Sequence, residues 1–354
     1  MKVAIVKPDH IGDLVLASAA IRAIMRRFPD GTLFVSGRNR SLAAHLFGDI
    51  DIGEINFPHL TKSDASQGGY PDLRGFDMVT FLRSDGIINE QWASLRCRNF
   101  ILPSDNNIDH QTILDFGAAS ALIGHYDIEE AFYADQLERV RAKASRFPGR
   151  VGFSIGSGFH ANAWAPKHWI ALGRKLKAAD VEVSVISGPA EAGLARFLLR
   201  QIGLDPVRNL ILGGINFADF LGRVDEMDWV VASDGGTGHL CSLVCPTLSV
   251  FGPSPFQRYA PFGAWARLLT MNLGCSPCCQ YAARLVNGCL TMECITSIDA
   301  DHVMEALRFP HNTGMVGSCV EIASACQLYL GVSHIDQRSK LESCLTESGA
   351  RHAA

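Results

Sequence analysis

Short apolar runs alternate along this chain with longer stretches whose apolar residues recur at helical spacing. Val3 to Val6 reads as a strand, Leu14 to Phe28 as a helix, Thr32 to Val35 as a strand and Leu42 to Phe47 as a helix. Further strands are expected at Met78 to Leu82 and Asn99 to Leu102, with a helix from Gln111 to Ile123. A charged helical stretch, Gln136 to Arg146, runs into Phe147-Pro148-Gly149-Arg150, where the pattern breaks. It restarts with strands at Val151 to Ile155, Glu182 to Ile186, Asn209 to Leu212, Trp229 to Ala232 and Thr247 to Phe251, and helices at His168 to Ala178 and Ala190 to Ile202. Alternation of this kind specifies parallel sheets covered by helices. The chain therefore reads as an α/β protein of two Rossmann-like α/β/α domains facing across a cleft, residues 1–148 and 149–310. In residues 311–354 a last helix, Val316 to Leu330, is expected to pack back across the first domain, ahead of a polar tail from Ser339 to Ala354.

Size and charge narrow the class. With 354 residues the chain exceeds one ordinary core and suits two. Its net charge of −4 is spread evenly, 17 basic against 19 acidic residues in the first 150, which argues against a general nucleic-acid binder. Five arginines between Ala20 and Gly48 (Arg22, Arg26, Arg27, Arg38 and Arg40) face one acid, Asp30. They read either as a solvated helix face or as a patch for an anionic acceptor or membrane surface. Met1 to Lys7 is too short in its apolar run for an export signal, and no window offers an apolar membrane span. The expected location is cytoplasmic, with at most peripheral contact with the membrane, and the eleven cysteines are expected to be reduced.

Candidate chemistry gathers at strand ends. Trp229-Val230-Val231-Ala232 leads into Asp234-Gly235-Gly236-Thr237-Gly238-His239, a glycine-rich turn where open α/β sheets place ligands and where backbone can approach a phosphate. The helix after it is expected from Leu240. The turn Ser154-Ile155-Gly156-Ser157-Gly158 offers further backbone donors, and Lys167, at the next helix start, offers a point charge for a diphosphate or is simply solvated. Ser187-Gly188-Pro189-Ala190-Glu191 ends another strand, Glu191 being either a first-turn acid or a ligand for ribose hydroxyls. In the first half, Lys7-Pro8-Asp9-His10-Ile11-Gly12-Asp13 precedes a helix for which Asp13 is the expected N-cap. The same carboxylate, held by Gly12 at the cleft mouth, is a candidate general base, with Asp9 and His10 as competitors. Neither G-x-G-x-x-G nor G-x-x-x-x-G-K-[ST] occurs, which removes the main support for nicotinamide-cofactor and P-loop readings. Cys275, Cys278, Cys289 and Cys294 have spacing open to a structural zinc or iron, although the second pair is irregular and Cys279 is spare, which favours plain thiols. Cys97, Cys241, Cys245, Cys319, Cys326 and Cys344 read as core or incidental thiols.

Together Ile11-Gly12-Asp13, Phe28-Pro29, Lys167-x-Trp169, Ser187-Gly188 with Glu191, Asp234 to His239 and Phe251-Gly252-Pro253 resemble the lipopolysaccharide heptosyltransferases of glycosyltransferase family 9. The resemblance spans roughly residues 1 to 308 and implies a GT-B fold. It further implies inverting transfer of a sugar, usually heptose, from an ADP-sugar such as ADP-heptose to an anionic saccharide or glycolipid acceptor at the inner membrane face, with no cofactor required. By that resemblance Asp13 is the general base and Lys167 neutralises the leaving diphosphate. Gly12, Gly156, Ser157, Ser187, Gly188, Glu191, Asp234, Gly235, Gly236, Thr237 and His239 form the donor pocket. Two departures stand out. Residues 159–166 lack the paired hydroxyls expected for phosphate, leaving Ser157 or Asn162, and the loop Lys7 to His10 is acidic for an anionic acceptor. Alternatives are a transferase using another nucleotide sugar or a protein or other glycan acceptor, and a catalytically silent sugar-nucleotide-binding protein.

Overall fold

The computed structural model describes residues 1–55, 71–83, 100–101, 110–124, 127–278, 289, 291–309, 319–323 and 326–330. Two sheets organise them. The first has the order β3-β2-β1-β4-β5, from β1 Val3–Lys7, β2 Thr32–Val35, β3 Asp51–Glu54, β4 Met78–Phe81 and β5 Phe100–Ile101. All its pairings are parallel. The strand order reverses about β1, so the chain leaving β1 sits at the point where doubly wound sheets bind ligands.

The second sheet has the order β12-β13-β11-β10-β9-β6-β7-β8. Its parallel strands are β6 Arg150–Ser154, β7 Glu182–Ser187, β8 Asn209–Ile211, β9 Trp229–Ser233, β10 Thr247–Val250 and β11 Arg267–Met271. β6 and β9 are neighbours, making a second reversal point from which the Gly156 and Asp234 turns both emerge. Continuous apolar runs such as Trp229 to Ala232 suit strands covered on both faces, and that run is buried throughout.

Helices pack on both sheets: α1 Ile11–Leu16, α2 Ser18–Arg27, α3 Arg40–Phe47, α4 Gln111–Ile123, α5 Ile128–Tyr133, α6 Leu137–Ala144, α7 Pro166–Ala178, α8 Ala192–Ile202, α9 Phe217–Asp225, α10 Gly236–Ser242, α11 Phe256–Tyr259, α12 Glu293–Thr296 and α13 Ala300–Arg308. The segment after α6 is pinned to the second sheet by one carboxylate. Asp228 accepts from the backbone N–H groups of Gly149 and Arg150 at 2.8 and 2.9 Å and pairs with Arg146 at 2.6 Å.

Three elements differ from the sequence pattern. The expected helix Val316 to Leu330 is instead a pair of antiparallel strands, β12 Cys319–Ala323 and β13 Cys326–Leu330, with β13 paired to β11. The free edge of β11 leaves backbone donors and acceptors that a strand satisfies and a helix does not. Consequently this segment extends the second sheet rather than crossing the first; the polar tail from Ser339 lies outside the described residues. Asp13 is not the N-cap of α1: His10 occupies that place, and Asp13, at the third helical position, accepts its N–H at 3.2 Å. Finally, α10 begins at Gly236, so the glycines form its first turn rather than a loop before it.

Candidate functional site

The loop between β1 and α1 lies directly on the turn between β9 and α10. A methyl group added to Gly236 would sit 3.3 Å from the Gly12 nitrogen, and one added to Gly12 would sit 3.0 Å from Cδ2 of His239. The same turn closes against the β6 end, where a Cβ on Gly235 would lie 2.4 Å from the carbonyl oxygen of Gly156. Ser157 Oγ donates to the Asp234 carbonyl at 2.8 Å, which ties the two turns together. On the far side of Gly156 stands Glu191, whose carboxyl would meet a Gly156 Cβ at 3.5 Å and which accepts the Gly188 N–H at 3.0 Å. Gly12, Gly236, Gly235, Gly156, Ser157, Glu191 and Gly188 thus form one continuous floor running from the first sheet across the second.

Asp234 turns its side chain inward. Asn162 Nδ2 donates to its Oδ2 at 2.7 Å and reaches Ser254 Oγ at 2.7 Å. Burial pushes the Asp234 carboxyl up to about 6, opposed by the Ser254 hydroxyl. Asn162, one of two residues proposed to replace the missing hydroxyl pair, is therefore committed to Asp234, and Ser157 to the Asp234 and Phe159 carbonyls.

His239 is almost fully buried, and its Nδ1 has no hydrogen-bond partner among the described residues. Burial, then the charge of His110, lowers its pKa to about 3, so the ring is neutral at physiological pH. His110 caps α4, accepting the Thr112 N–H at Nδ1, while its Nε2 lies 2.8 Å from the Ala260 carbonyl beyond α11. Burial holds this ring down to about 4.

Asp13 projects from the first turn of α1 with 34% of its side chain open. Burial of the rest and the neighbouring Asp9 raise its pKa, against Lys7, His10 and the His10 N–H. Its competitor Asp9 is buried and already paired, to Lys7 at 3.2 Å and to Arg83. Both Asp9 oxygens are engaged by cations while Asp13 is partly open, so geometry favours Asp13 over Asp9. His10 is exposed.

Other sequence-derived candidates fall less centrally. Lys167 is exposed at the second position of α7. Thr237 is half-buried in the first turn of α10, and the Ser187 hydroxyl donates to Asn209 at 3.1 Å. Arg22 leaves the arginine cluster: it is directed at the carbonyls of Ala131 and Phe132, ending α5, while Arg26 and Arg27 are exposed. Burial pushes the Cys294 thiol up to about 11, reinforced by Cys278, Cys275 and Cys289, so the four thiols lie within electrostatic reach of one another. Among the described residues no three His, Cys, Asp or Glu side chains form a set that would hold a metal ion. Cys97, Cys279 and Cys344 lie outside the described residues; Cys241, Cys245 and Cys326 are buried and Cys319 exposed. Sequence reasoning passed over Lys7 and Asp115, both buried; the only local signal was a lysine closing an otherwise apolar strand.

No curated protein sequence matches this chain. Its fold is shared with E. coli ADP-heptose LPS heptosyltransferase II, with a TM-score of 0.57 at 14% identity over 86% of this chain and 97% of the other. E. coli heptosyltransferase WaaC, solved with ADP-2-deoxy-2-fluoro heptose, gives 0.58 at 15% identity over 86% and 98%. The iron-containing dodecameric glycosyltransferase TibC from enterotoxigenic E. coli gives 0.50 at 11% identity over 86% and 74%. These are GT-B proteins, and the two Rossmann-like sheets described above are that architecture. The profile of glycosyltransferase family 9 (heptosyltransferase) matches residues 111–287, half of the chain. The chain belongs to glycosyltransferase family 9, the heptosyltransferases, and is a glycosyltransferase enzyme.

Proposed function

We propose that this enzyme transfers a heptose from ADP-heptose, with inversion, to a hydroxyl of an anionic saccharide such as the lipopolysaccharide inner core. The observation that carries the reading is the contact of Gly12 with Gly236 and His239, which sets the Asp13 turn beside the donor-side glycines. E. coli WaaC has been solved with ADP and with ADP-2-deoxy-2-fluoro heptose, which supports an adenine nucleotide as donor here.

In this mechanism the donor diphosphate lies along the Gly156 and Gly235-Gly236 backbones, Glu191 takes the ribose hydroxyls and Lys167 meets the charge growing on ADP. The acceptor oxygen attacks the anomeric carbon as the bond from that carbon to the β-phosphate oxygen breaks, and its proton passes to Asp13. A raised carboxyl pKa makes Asp13 a better proton acceptor provided that it remains ionised. Asp234, its carboxyl held by Asn162, braces the diphosphate turn on the sugar side of this pocket. Exposed Arg26, Arg27, Arg38 and Arg40 offer a surface for an anionic acceptor at the inner membrane face. No helix among the described residues is long and apolar enough to cross a membrane.

The test is turnover of ADP-heptose on a heptose-deficient core acceptor. Asp13→Ala should abolish transfer while ADP affinity, measured by titration calorimetry, stays within about twofold. Wild-type turnover by the variant would remove Asp13 as base, and tighter binding of UDP or GDP than ADP would remove the adenine donor.

A further inference from the structure

Behind Asp13 lies a cluster of buried charge that the proposed reaction does not itself use. Lys7, the last residue of β1, is 2% exposed, and its Nζ donates to the Leu82 carbonyl at 2.6 Å. Two carboxylates flank it, Asp9 at 3.2 Å and Asp115 of α4 at 3.8 Å. Gln111 donates to Asp115 at 2.9 Å and accepts from Arg258 Nε, of α11, at 3.1 Å. The lysine is therefore fixed from three directions and cannot swing out to solvent.

A buried ammonium normally loses its proton. Burial would lower the Lys7 pKa, but Asp115, Asp9 and Asp13 outweigh it, so the group stays charged. Asp115 is itself pushed up to about 7 by burial, against Lys7 and Gln111. Among the described residues, the charged or titratable groups around Asp13 are Lys7 from β1, Asp9 and His10 on its own loop, Arg83 after β4 and paired with Asp9, Asp115 from α4, and His239, neutral, which lies from α10 against Gly12. Asp9 and Lys7 act on Asp13 with opposite sign.

We infer that Lys7 is a positioning residue for sugar transfer: anchored by Leu82 and Asp115 and paired with Asp9, it supplies fixed positive charge behind Asp13 that offsets the charge of Asp9. This role rests on the reading of Asp13 as base, but the charge balance itself is a property of the folded protein. Lys7 touches neither substrate and acts only through Asp13.

The experiment follows the Asp13 carboxyl by 13C NMR of aspartate-labelled protein, its signal assigned by loss in Asp13→Asn, alongside the pH profile of ADP-heptose turnover. In Lys7→Met the Asp13 midpoint and the acid limb of kcat should both move to higher pH, so that turnover is lost on the acid side of the profile and recovers as pH rises. In Lys7→Arg the profile should return toward wild type. In Asp9→Asn both should move to lower pH, which a merely structural role would not produce. Midpoints that stay put, or that move the same way in Lys7→Met and Asp9→Asn, overturn the inference. If Lys7→Met fails to fold, Asp9→Asn decides alone: a midpoint that does not fall overturns it. Retained turnover in Asp13→Asn would instead sink the base assignment, while the NMR midpoints would still judge the charge balance.

Discussion

Replacing Gly235 by alanine tests the site geometry with one methyl group. Gly235 has extended backbone, φ −173° and ψ 160°, so alanine meets no conformational penalty there and any effect is steric. The new Cβ would lie 2.4 Å from the Gly156 carbonyl oxygen and 3.2 Å from both the Gly156 carbonyl carbon and the Ser157 Cα. Ordinary carbon–oxygen contact needs about 1 Å more, and the obstacle is backbone rather than a movable side-chain tip. The β9 and β6 turns must therefore part by about 1 Å, breaking the Ser157 to Asp234 hydrogen bond. Overpacking of this kind costs about 1–3 kcal/mol, which in a protein of this size lowers the melting temperature by roughly 2–4 °C per kcal/mol. The functional loss should be larger, since misplacing reacting groups by about 1 Å costs on the order of a hundredfold in rate. Differential scanning calorimetry, ADP titration and ADP-heptose turnover read the three consequences. Gly158→Ala is the control, because its Cβ meets nothing within 4 Å and the residue is exposed. Wild-type melting temperature and ADP affinity in Gly235→Ala would refute the claim that these turns share one packed floor.

Lys167→Ala should weaken ADP binding by about tenfold while changing AMP binding little; equal losses for both nucleotides would count against a β-phosphate contact. Asp228→Asn should cost about 2 kcal/mol in denaturant melts at pH 7, because three donors converge on that carboxylate. Burial opposes the Asp228 charge, but Arg146 and the two N–H groups hold its pKa below the usual range, so its stabilisation is complete above the unfolded aspartate pKa and disappears as pH falls through the lower folded one. A variant with unchanged acid stability would contradict that. His110 and His239 are held down to about 4 and about 3, so the unfolded chain takes up protons first, and stability should fall as pH drops from about 6.5 towards 4. In His110→Gln that slope should shrink by up to one proton, and an unaltered slope would show that His110 is not buried neutral.

Most parallel strands were legible because they are largely apolar runs ended by glycine or a polar residue, as in Trp229 to Ala232 before Asp234. Where tertiary pairing decides, local pattern failed. β3 is only Asp51-Ile52-Gly53-Glu54, an edge strand with charged ends, and Gly53 is needed because a Cβ there would strike the Phe34 ring. β11 opens with Arg267, buried because its guanidinium stacks 4.4 Å over Trp229 and donates to the Ala306 carbonyl. Val316 to Leu330 is expected to be helical from a weak local pattern, and the open edge of β11 makes Cys319–Ala323 and Cys326–Leu330 strands instead. The glycines after β6 and β9 announced themselves, as glycine-rich strand ends do. The charges behind Asp13 did not, because Lys7 meets Leu82 and Asp115 across 75 residues and more.

Dividing the candidate groups between two sheets has a chemical consequence. Asp13 and its supporting charges belong to the first sheet, while Asp234, Gly235, Gly236, Glu191 and Lys167 belong to the second. With Asp13 as the proposed base and the second sheet as the proposed donor side, neither set alone can carry a transfer: the base is idle without a donor, and a donor held without base and acceptor is exposed to water. The two meet where Gly12 and Gly236 abut: a Cβ on Gly12 would come 3.0 Å from His239, and one on Gly236 3.3 Å from the Gly12 nitrogen, both tighter than ordinary contact. The meeting is reinforced away from the site by His110 against Ala260 and by Gln111 against Arg258, the latter joined through Asp115 to Lys7. If Asp13 is the base, as proposed above, the contact between the two sheets is thus joined through Gln111 and Asp115 to the lysine behind that base.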